Sequence, residues 1–220
     1  MGSLSASILS ADFAHLADQV KLVEPYAEAI HIDVMDAHFV PPITIGPLVV
    51  ASLRSVTARV LHGHLMVEGP EQLFDELAEA GLDIVSFHHE AVEDPDPVIA
   101  KARGAGLRVG MTLKLETPVD VLFPYLDDLD DVMLMSIRPG WGGQELNPAV
   151  YPRLEAIRAE VDRRGLPASV QIDGGVKLHN ARRVIEAGAS VLVAGSAIYC
   201  ADDPAAAARQ LAAIARGEAA

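Results

Sequence analysis

Eight short apolar runs alternate with helical patterns along the whole chain, and this alternation limits the possible folds more than any other feature of the sequence. A chain in which strands and helices alternate builds βαβ units, and therefore a parallel sheet. The eight predicted strands span residues 4–8, 30–34, 60–65, 84–88, 108–113, 132–137, 170–173 and 191–194. Half of the residues are hydrophobic and few are aromatic, which is typical of such buried sheets.

Amphipathic stretches separate these runs, and they predict helices at residues 13–23, 71–80, 97–103, 119–126, 150–163, 180–187 and 204–215. Two arrangements of eight βα units compete. In an open doubly wound sheet, the polar groups gather at one crevice. Here polar residues stand at the C-terminal ends of nearly all predicted strands, which favours a closed barrel with a single mouth. We therefore expect an α/β protein that forms a single-domain (β/α)₈ TIM barrel over residues 1–220.

The charge balance narrows the partners that such a barrel can have. The chain carries 17 Lys and Arg against 31 Asp and Glu, a net charge of −14, which disfavours nucleic acid and anionic membrane surfaces. Its only cysteine is Cys200, so no intrachain disulfide can form. No apolar run approaches the roughly 20 residues of a membrane span. We expect a cytoplasmic protein.

One face of the predicted second strand is polar. Because side chains alternate along a strand, His31 and Asp33 point to one side, and Ile30, Ile32 and Val34 point to the other. Burying an imidazole and a carboxylate is costly unless something pairs with them. This stretch alone leaves three interpretations open: a metal ion held by both residues, an internal His–Asp hydrogen bond, or a solvated edge strand.

Two more candidate ligands stand at the ends of other predicted strands. His64 belongs to the third strand and Asp173 to the seventh, and in a barrel these ends meet at one mouth. With His31 and Asp33 they form a set of two histidines and two carboxylates, which suits one divalent ion such as zinc, ferrous iron or manganese. Four candidate ligands from three strands favour the metal-site interpretation.

The two aspartates also suggest proton-transfer chemistry. A cation beside a carbonyl acidifies the neighbouring carbon, because it stabilises the enediolate that forms. One carboxylate, Asp33 or Asp173, can then remove the proton while the other returns one from the opposite face, which inverts a stereocentre. The alternative is that both aspartates act only as metal ligands.

Glycine-rich turns after the last three predicted strands indicate an anion site. Barrels often bind phosphate with these loops, where glycines let backbone amides approach the ligand. Turns also need glycine for conformational reasons alone, so glycine content by itself is weak evidence. The anion-site interpretation depends on the position of these residues after strands six to eight. The residues concerned are Gly140, Trp141, Gly142, Gly143, Gly174, Gly175, Gly195 and Ser196. Trp141 lies in the longest of these loops and is a candidate lid.

Seven motifs along the chain resemble the signatures of the ribulose-phosphate 3-epimerase family. They are SILSADF at residues 7–13, HIDVMD at 31–36, HFVP at 38–41, HLMV at 64–67, PGWGGQ at 139–144, DGGV at 173–176 and GSAI at 195–198. The similarity runs in order from about residue 5 to residue 215.

This resemblance implies a barrel enzyme that interconverts D-ribulose 5-phosphate and D-xylulose 5-phosphate. It implies that His31, Asp33, His64 and Asp173 hold the metal and that Asp33 and Asp173 form the acid–base pair. Ser7 and His64 would touch the sugar, and the glycine-rich turns with Ser196 would bind its phosphate. The resemblance also implies a homo-oligomer.

The chain departs from the family pattern at five positions near these motifs. They are Ala37 in place of glycine, Pro42 in place of asparagine, His62 in place of an acid, His89 in place of proline, and Arg138. None of these changes removes a candidate ligand or proton carrier. These changes leave the identity of the substrate open: the chain could catalyse the same epimerisation on another phosphoketose, such as a hexulose 6-phosphate. A non-catalytic phosphosugar-binding protein is the alternative from another functional class.

Overall fold

In the computed structural model, which describes residues 2–218, eight parallel strands close into a barrel in their order along the chain. The strands are β1 (Ser3–Ser7), β2 (Ala29–Met35), β3 (Val60–Met66), β4 (Ile84–His88), β5 (Arg108–Leu113), β6 (Asp131–Met135), β7 (Ser169–Asp173) and β8 (Val191–Ala194). Pairing of β1 with β8 closes the sheet, which confirms the predicted single-domain TIM barrel and excludes the open sheet. Residues 1, 219 and 220 of the predicted domain lie outside the described residues.

Helices follow the strands and pack around the barrel. Within residues 2–218 they are α1 (Leu16–Val23), α2 (Pro47–Arg54), α3 (Phe74–Glu79), α4 (Pro95–Gly104), α5 (Val150–Arg164), α6 (Leu178–Glu186), α7 (Ser196–Tyr199) and α8 (Pro204–Ala215). Short 3₁₀ helices occupy Ile8–Ser10, Phe13–His15, Pro70–Gln72 and His89–Ala91. No helix in this range is long and apolar enough to cross a membrane.

Three segments differ from the sequence prediction, and one of them is the short helix α7, which was not predicted. Helix α2 was not predicted, because its first half, Pro47 to Val50, is apolar without helical alternation; Gly46 and Pro47 at its start are its only clear signal. The segment Val119–Asp128, predicted as an amphipathic helix, is 3₁₀. Pro124 lies inside it and cannot donate the hydrogen bond that an α-helix requires there.

The alternation predicted for β2 is present in the structure. Ile30, Ile32 and Val34 are buried in the main hydrophobic core of the barrel. His31 and Asp33 are buried among the polar side chains that converge near the mouth. The same period-two pattern in the other strands separates the apolar core from the polar interior.

A second buried polar group lies below the mouth, in the middle of the barrel. His62 Nε2 is 2.7 Å from Ser86 Oγ, and that hydroxyl is 3.1 Å from Asp131 Oδ1. Gly110 leaves room for this group, because a Cβ there would overlap Ser86 and Asp131. Burial raises the pKa of Asp131 to about 7 and lowers that of His62 well below its usual value.

Asp131→Asn should stabilise the protein at pH 8. The ordinary pKa of this carboxyl is 3.8 and burial raises it to about 7, so ionisation destabilises the fold increasingly from about pH 4 to about pH 7. Above about pH 7 the carboxyl is ionised in the folded protein, and the full loss of stability is present. Asparagine carries no charge, so at pH 8 urea denaturation should show a free energy of unfolding higher by on the order of 4 kcal/mol, since the pKa is raised by about three units at about 1.4 kcal/mol each. The difference should shrink towards pH 4.

Asp130→Asn is the matched control, because it removes the same charge from the adjacent residue. Asp130 accepts a hydrogen bond of 2.7 Å from the Val109 amide and lies 2.8 Å from Arg103 Nη1, so its loss should not stabilise the protein. If the free energies of unfolding of wild type and Asp131→Asn differ by the same amount at every pH from 4 to 8, the raised pKa of Asp131 is wrong.

Candidate active site

Four polar side chains from β2, β3 and β7 meet at the C-terminal end of the barrel. His31 Nε2 lies 3.4 Å from Asp33 Oδ1 and 3.8 Å from Asp173 Oδ2. His64 Nδ1 lies 3.2 Å from Asp33 Oδ1 and 3.5 Å from Asp173 Oδ2. Asp33 and His64 are register partners on β2 and β3, and closure of the barrel brings Asp173 to them from β7.

This cluster fits a divalent metal ion. The four ligand atoms lie within 4.8 Å of one another. Ligands at about 2.0–2.2 Å from one tetrahedral ion are about 3.4 Å apart, close to the separations observed here. His31 is fully buried, and neither of its ring nitrogens has a hydrogen-bond partner among residues 2–218. Because an unpaired buried imidazole is costly, a cation beside Nε2 would satisfy a group that is otherwise left without a partner.

The charges within the cluster support one another. Burial would raise the pKa of Asp33, but His31 and His64 outweigh burial and hold that pKa far below its usual value. Burial opposes protonation of His64, yet hydrogen bonding to Asp173 and Asp33 raises the pKa of His64 to about 9. The two carboxylates thus favour positive charge at the position between them, whether a proton or a metal ion supplies it.

Each aspartate is held by further contacts. The Ser7 hydroxyl donates a hydrogen bond of 2.8 Å to Asp33 Oδ2, the oxygen that faces away from His64 Nδ1. The backbone carbonyl of Asp173 accepts a hydrogen bond of 2.9 Å from the Ser136 amide. These contacts fix Asp33 directly and hold the strand end that carries Asp173.

A chain of polar contacts leads from His64 towards the surface. His64 Nε2 lies 2.9 Å from His88 Nε2, and His88 Nδ1 lies 3.2 Å from Glu90 Oε2. Burial lowers the pKa of His88 to about 4. Burial of Glu90 would raise its pKa, but hydrogen bonds from His88 and Thr117 lower it to about 2.

A cavity opens above the two aspartates. Its walls contain all but one of the residues expected to contact substrate, together with both proton-transfer candidates: Ser7, Asp33, Gly140, Trp141, Gly142, Gly143, Asp173, Gly174, Gly175, Gly195 and Ser196. The exception is His64, which is fully buried and does not line the cavity. Its contact with substrate stays a prediction.

The glycine pair after Asp173 is required by the local geometry. Gly174 and Gly175 both have positive φ, at 100° and 64°. A Cβ on Gly175 would overlap the backbone of Leu146, so the loops after β6 and β7 approach each other closely at this point. Both loops also contribute residues to the cavity wall, Gly140 to Gly143 from the first and Gly174 to Val176 from the second.

Sequence reasoning left several wall residues unassigned. The remaining lining residues are mostly apolar: Leu9, Ser10, Met35, Met66, Met135, Ile137, Pro139, Val176, Val193 and Ala194. Met35, Met66 and Met135 stand near strand ends, where methionine usually fills core space, so the sequence alone does not assign them to a cavity wall. Only their convergence in the barrel distinguishes the two interpretations.

The structure also locates the departures from the family pattern. Ala37 has φ of 64°, the one non-glycine residue with positive φ in the described chain, so glycine would fit there without strain. Pro42 lies where a Cβ on Gly140 would touch it. His89 faces Tyr125, with ring centroids 6.4 Å apart. Arg138 is exposed and does not line the cavity.

A family model described as the ribulose-phosphate 3 epimerase family matches residues 3–199. A ribulose-phosphate 3-epimerase of Bacillus subtilis is 46% identical over 201 residues, which is 90% of this chain and 93% of the relative. One from Synechocystis is 43% identical over 199 residues, covering 89% of this chain and 86% of the relative.

Solved structures show the same fold at lower identity. A 3-hexulose-6-phosphate synthase superposes with a TM-score of 0.70 at 23% identity, covering 96% of this chain and 99% of that one. This likeness supports the barrel architecture alone.

Proposed function

The chain belongs to the ribulose-phosphate 3-epimerase family, and from this we propose that it interconverts D-ribulose 5-phosphate and D-xylulose 5-phosphate, with Asp33 and Asp173 as the proton carriers. It is an isomerase of the epimerase type. The observation that carries the proposed mechanism is that two carboxylates from different strands both line one cavity and converge on one cation-binding position.

The reaction needs two proton carriers because its two sugars differ only in configuration at C3. The hydrogen on C3 lies next to the C2 carbonyl, so its removal gives a planar enediolate. Return of a proton to the opposite face gives the epimer. Asp33 on β2 and Asp173 on β7 approach the site from different strands, and each acts as base in one direction and as acid in the other.

The candidate ligands are His31, Asp33, His64 and Asp173, and we propose zinc, ferrous iron or manganese as the ion. When bound, such an ion polarises the substrate carbonyl and stabilises the negative charge that develops when the proton leaves. The protein contributes the rest: the Ser7 hydroxyl holds Asp33, and Met35, Met66 and Met135 form an apolar part of the lining of the same cavity.

The backbone amides of the glycine-rich turns are the proposed phosphate ligands. Gly142, Gly143, Gly174, Gly175, Gly195 and Ser196 line the same cavity as the two aspartates. Backbone N–H groups bind an anion without a side-chain cation, which suits a chain with a net charge of −14. Trp141, which is 60% exposed and lines the cavity, is the proposed cover for the substrate.

We also propose that the enzyme acts as a homo-oligomer in the cytoplasm. The family resemblance supports the oligomer. A single cysteine, Cys200, supports a reducing compartment.

Proton transfer by Asp33 and Asp173 can be followed by NMR in deuterated water. Metal-loaded wild type should convert D-ribulose 5-phosphate to D-xylulose 5-phosphate and place deuterium at C3. Asp33→Asn and Asp173→Asn should each lower the rate of epimerisation at least about a hundredfold, as expected for a lost general acid–base group.

The two variants also separate proton transfer from metal binding. Each keeps one carboxylate, so a variant saturated with manganese should still exchange the C3 hydrogen of one epimer and lose exchange of the other. Asp202→Asn, at an exposed position away from the cavity, is the control for loss of one charge. Exchange of both epimers by both variants would contradict the two-carboxylate mechanism.

Two further results would contradict the proposed reaction. No exchange by metal-loaded wild type would favour a non-catalytic phosphosugar-binding protein. A hundredfold higher kcat/KM for a hexulose 6-phosphate than for D-ribulose 5-phosphate would reassign the substrate.

A further inference from the structure

We propose that Glu90 and His88 are positioning residues that fix the tautomer of His64, so that its Nδ1 presents a lone pair to the metal site. The inference rests on the proposed metal-dependent function, and it assigns roles to two residues that do not line the cavity. It follows from the order of donors and acceptors in the series of hydrogen bonds that runs from Glu90 through His88 to His64.

The chain begins at Glu90, whose carboxylate can only accept hydrogen bonds. Its Oε1 accepts from the Lys114 amide at 2.8 Å and from the Thr117 hydroxyl. Its Oε2 faces His88 Nδ1 at 3.2 Å. Both oxygens are therefore occupied as acceptors, and His88 must carry a hydrogen on Nδ1.

The next link is the contact between two imidazoles. His88 Nε2 and His64 Nε2 lie 2.9 Å apart, a distance at which one nitrogen must donate and the other accept. A hydrogen on His88 Nε2 as well as on Nδ1 would make this ring a cation. His88 is fully buried and lies next to His64, which would hold the metal ion in the proposed site, so a second positive charge there is strongly disfavoured.

A second nearby cation, Lys114, also disfavours that charge on His88. The ring of Phe39 lies against His88 with centroids 4.8 Å apart. Lys114 Nζ lies over the same Phe39 ring at 3.9 Å from its centroid. The Lys114 ammonium, and an ion bound at the proposed metal site, would both repel a cationic His88. Its Nε2 is an acceptor, and His64 Nε2 is the donor.

The final link follows directly. A neutral His64 with a hydrogen on Nε2 has its lone pair on Nδ1. Nδ1 is the atom that lies 3.2 Å from Asp33 and 3.5 Å from Asp173, at the position where the metal would bind. Partners of this kind typically change metal affinity by about 10- to 100-fold when they are removed.

Glu90→Gln tests this order of hydrogens most sharply. The glutamine oxygen can stay with the two donors from Lys114 and Thr117, and the amide NH₂ then faces His88 Nδ1. Donation at that point moves the hydrogen of His88 to Nε2, which forces His64 to carry its hydrogen on Nδ1. We expect the dissociation constant for zinc, measured by competition with a chelator, to rise at least about tenfold.

Glu93→Gln is the matched control, because it makes the same change at an exposed position three residues away. It should leave zinc affinity within about twofold of wild type. Thermal unfolding of the metal-free variants checks that both fold.

The nitrogen spectrum of the histidines supplies the readout that a merely structural role would not change. In zinc-loaded wild type, long-range ¹H–¹⁵N correlation should show His64 coordinated through Nδ1 with its hydrogen on Nε2, and His88 with its hydrogen on Nδ1. Glu90→Gln should move the His88 hydrogen to Nε2. Coordination of zinc through His64 Nε2, or a hydrogen on wild-type His88 Nε2, would overturn the proposal. So would unchanged zinc affinity in Glu90→Gln.

The result separates this inference from the function on which it rests. If wild type binds no zinc, the proposed metal site fails. The spectrum of the metal-free protein then still reports whether Glu90 holds the hydrogen of His88 on Nδ1. A metal-free His88 without a hydrogen on Nδ1 would also overturn the inference.

Discussion

The structure depends on the convergence of two carboxylates and two imidazoles at a place from which water is largely excluded. His31 and His64 are fully buried, and Asp33 is only 3% exposed. Such a cluster is unfavourable unless its charges are balanced. The barrel supplies the geometry, because closure brings β7 to β2 and β3, and a cation between the two carboxylates would complete the charge balance.

The layers around this cluster serve different purposes. Below it, His62, Ser86 and Asp131 fill the barrel with mutually hydrogen-bonded polar groups, at a cost in stability that rises with pH. Beside it, His88 and Glu90 connect a candidate ligand to the backbone at the end of β5. Above it, glycine-rich turns provide backbone amides, and methionines provide an apolar wall. These three groups surround the candidate metal site, and the cavity opens above it.

Much of this organisation can be predicted from the sequence, because it depends on local periodicity. The alternation in residues 30–34 separates the core face from the ligand face, and all eight predicted strands agree with the structure within two residues at each end. The four candidate ligands lie on β2, β3 and β7, so a closed barrel is enough to bring them together.

The rest depends on contacts between residues distant in sequence. The link from His62 through Ser86 to Asp131 joins β3, β4 and β6, and no local pattern indicates it. The chain from His64 to Glu90 needs side-chain directions as well as strand order. Helix α2 escaped prediction because tertiary packing stabilises an apolar segment with little helical alternation. The positive φ of Ala37 is likewise set by the tight loop between Asp36 and Ile43, which pair across an antiparallel bridge.

The central claim is that Asp33 and Asp173 face each other across one ion at the mouth of the barrel. Anomalous diffraction from crystals grown with manganese and a non-reactive phosphoketose analogue tests this claim most directly. The account predicts one strong anomalous peak in contact with His31, Asp33, His64 and Asp173, with C3 of the analogue between the two carboxylates. A peak elsewhere, or an analogue whose C3 lies beside only one of the two aspartates, would contradict it.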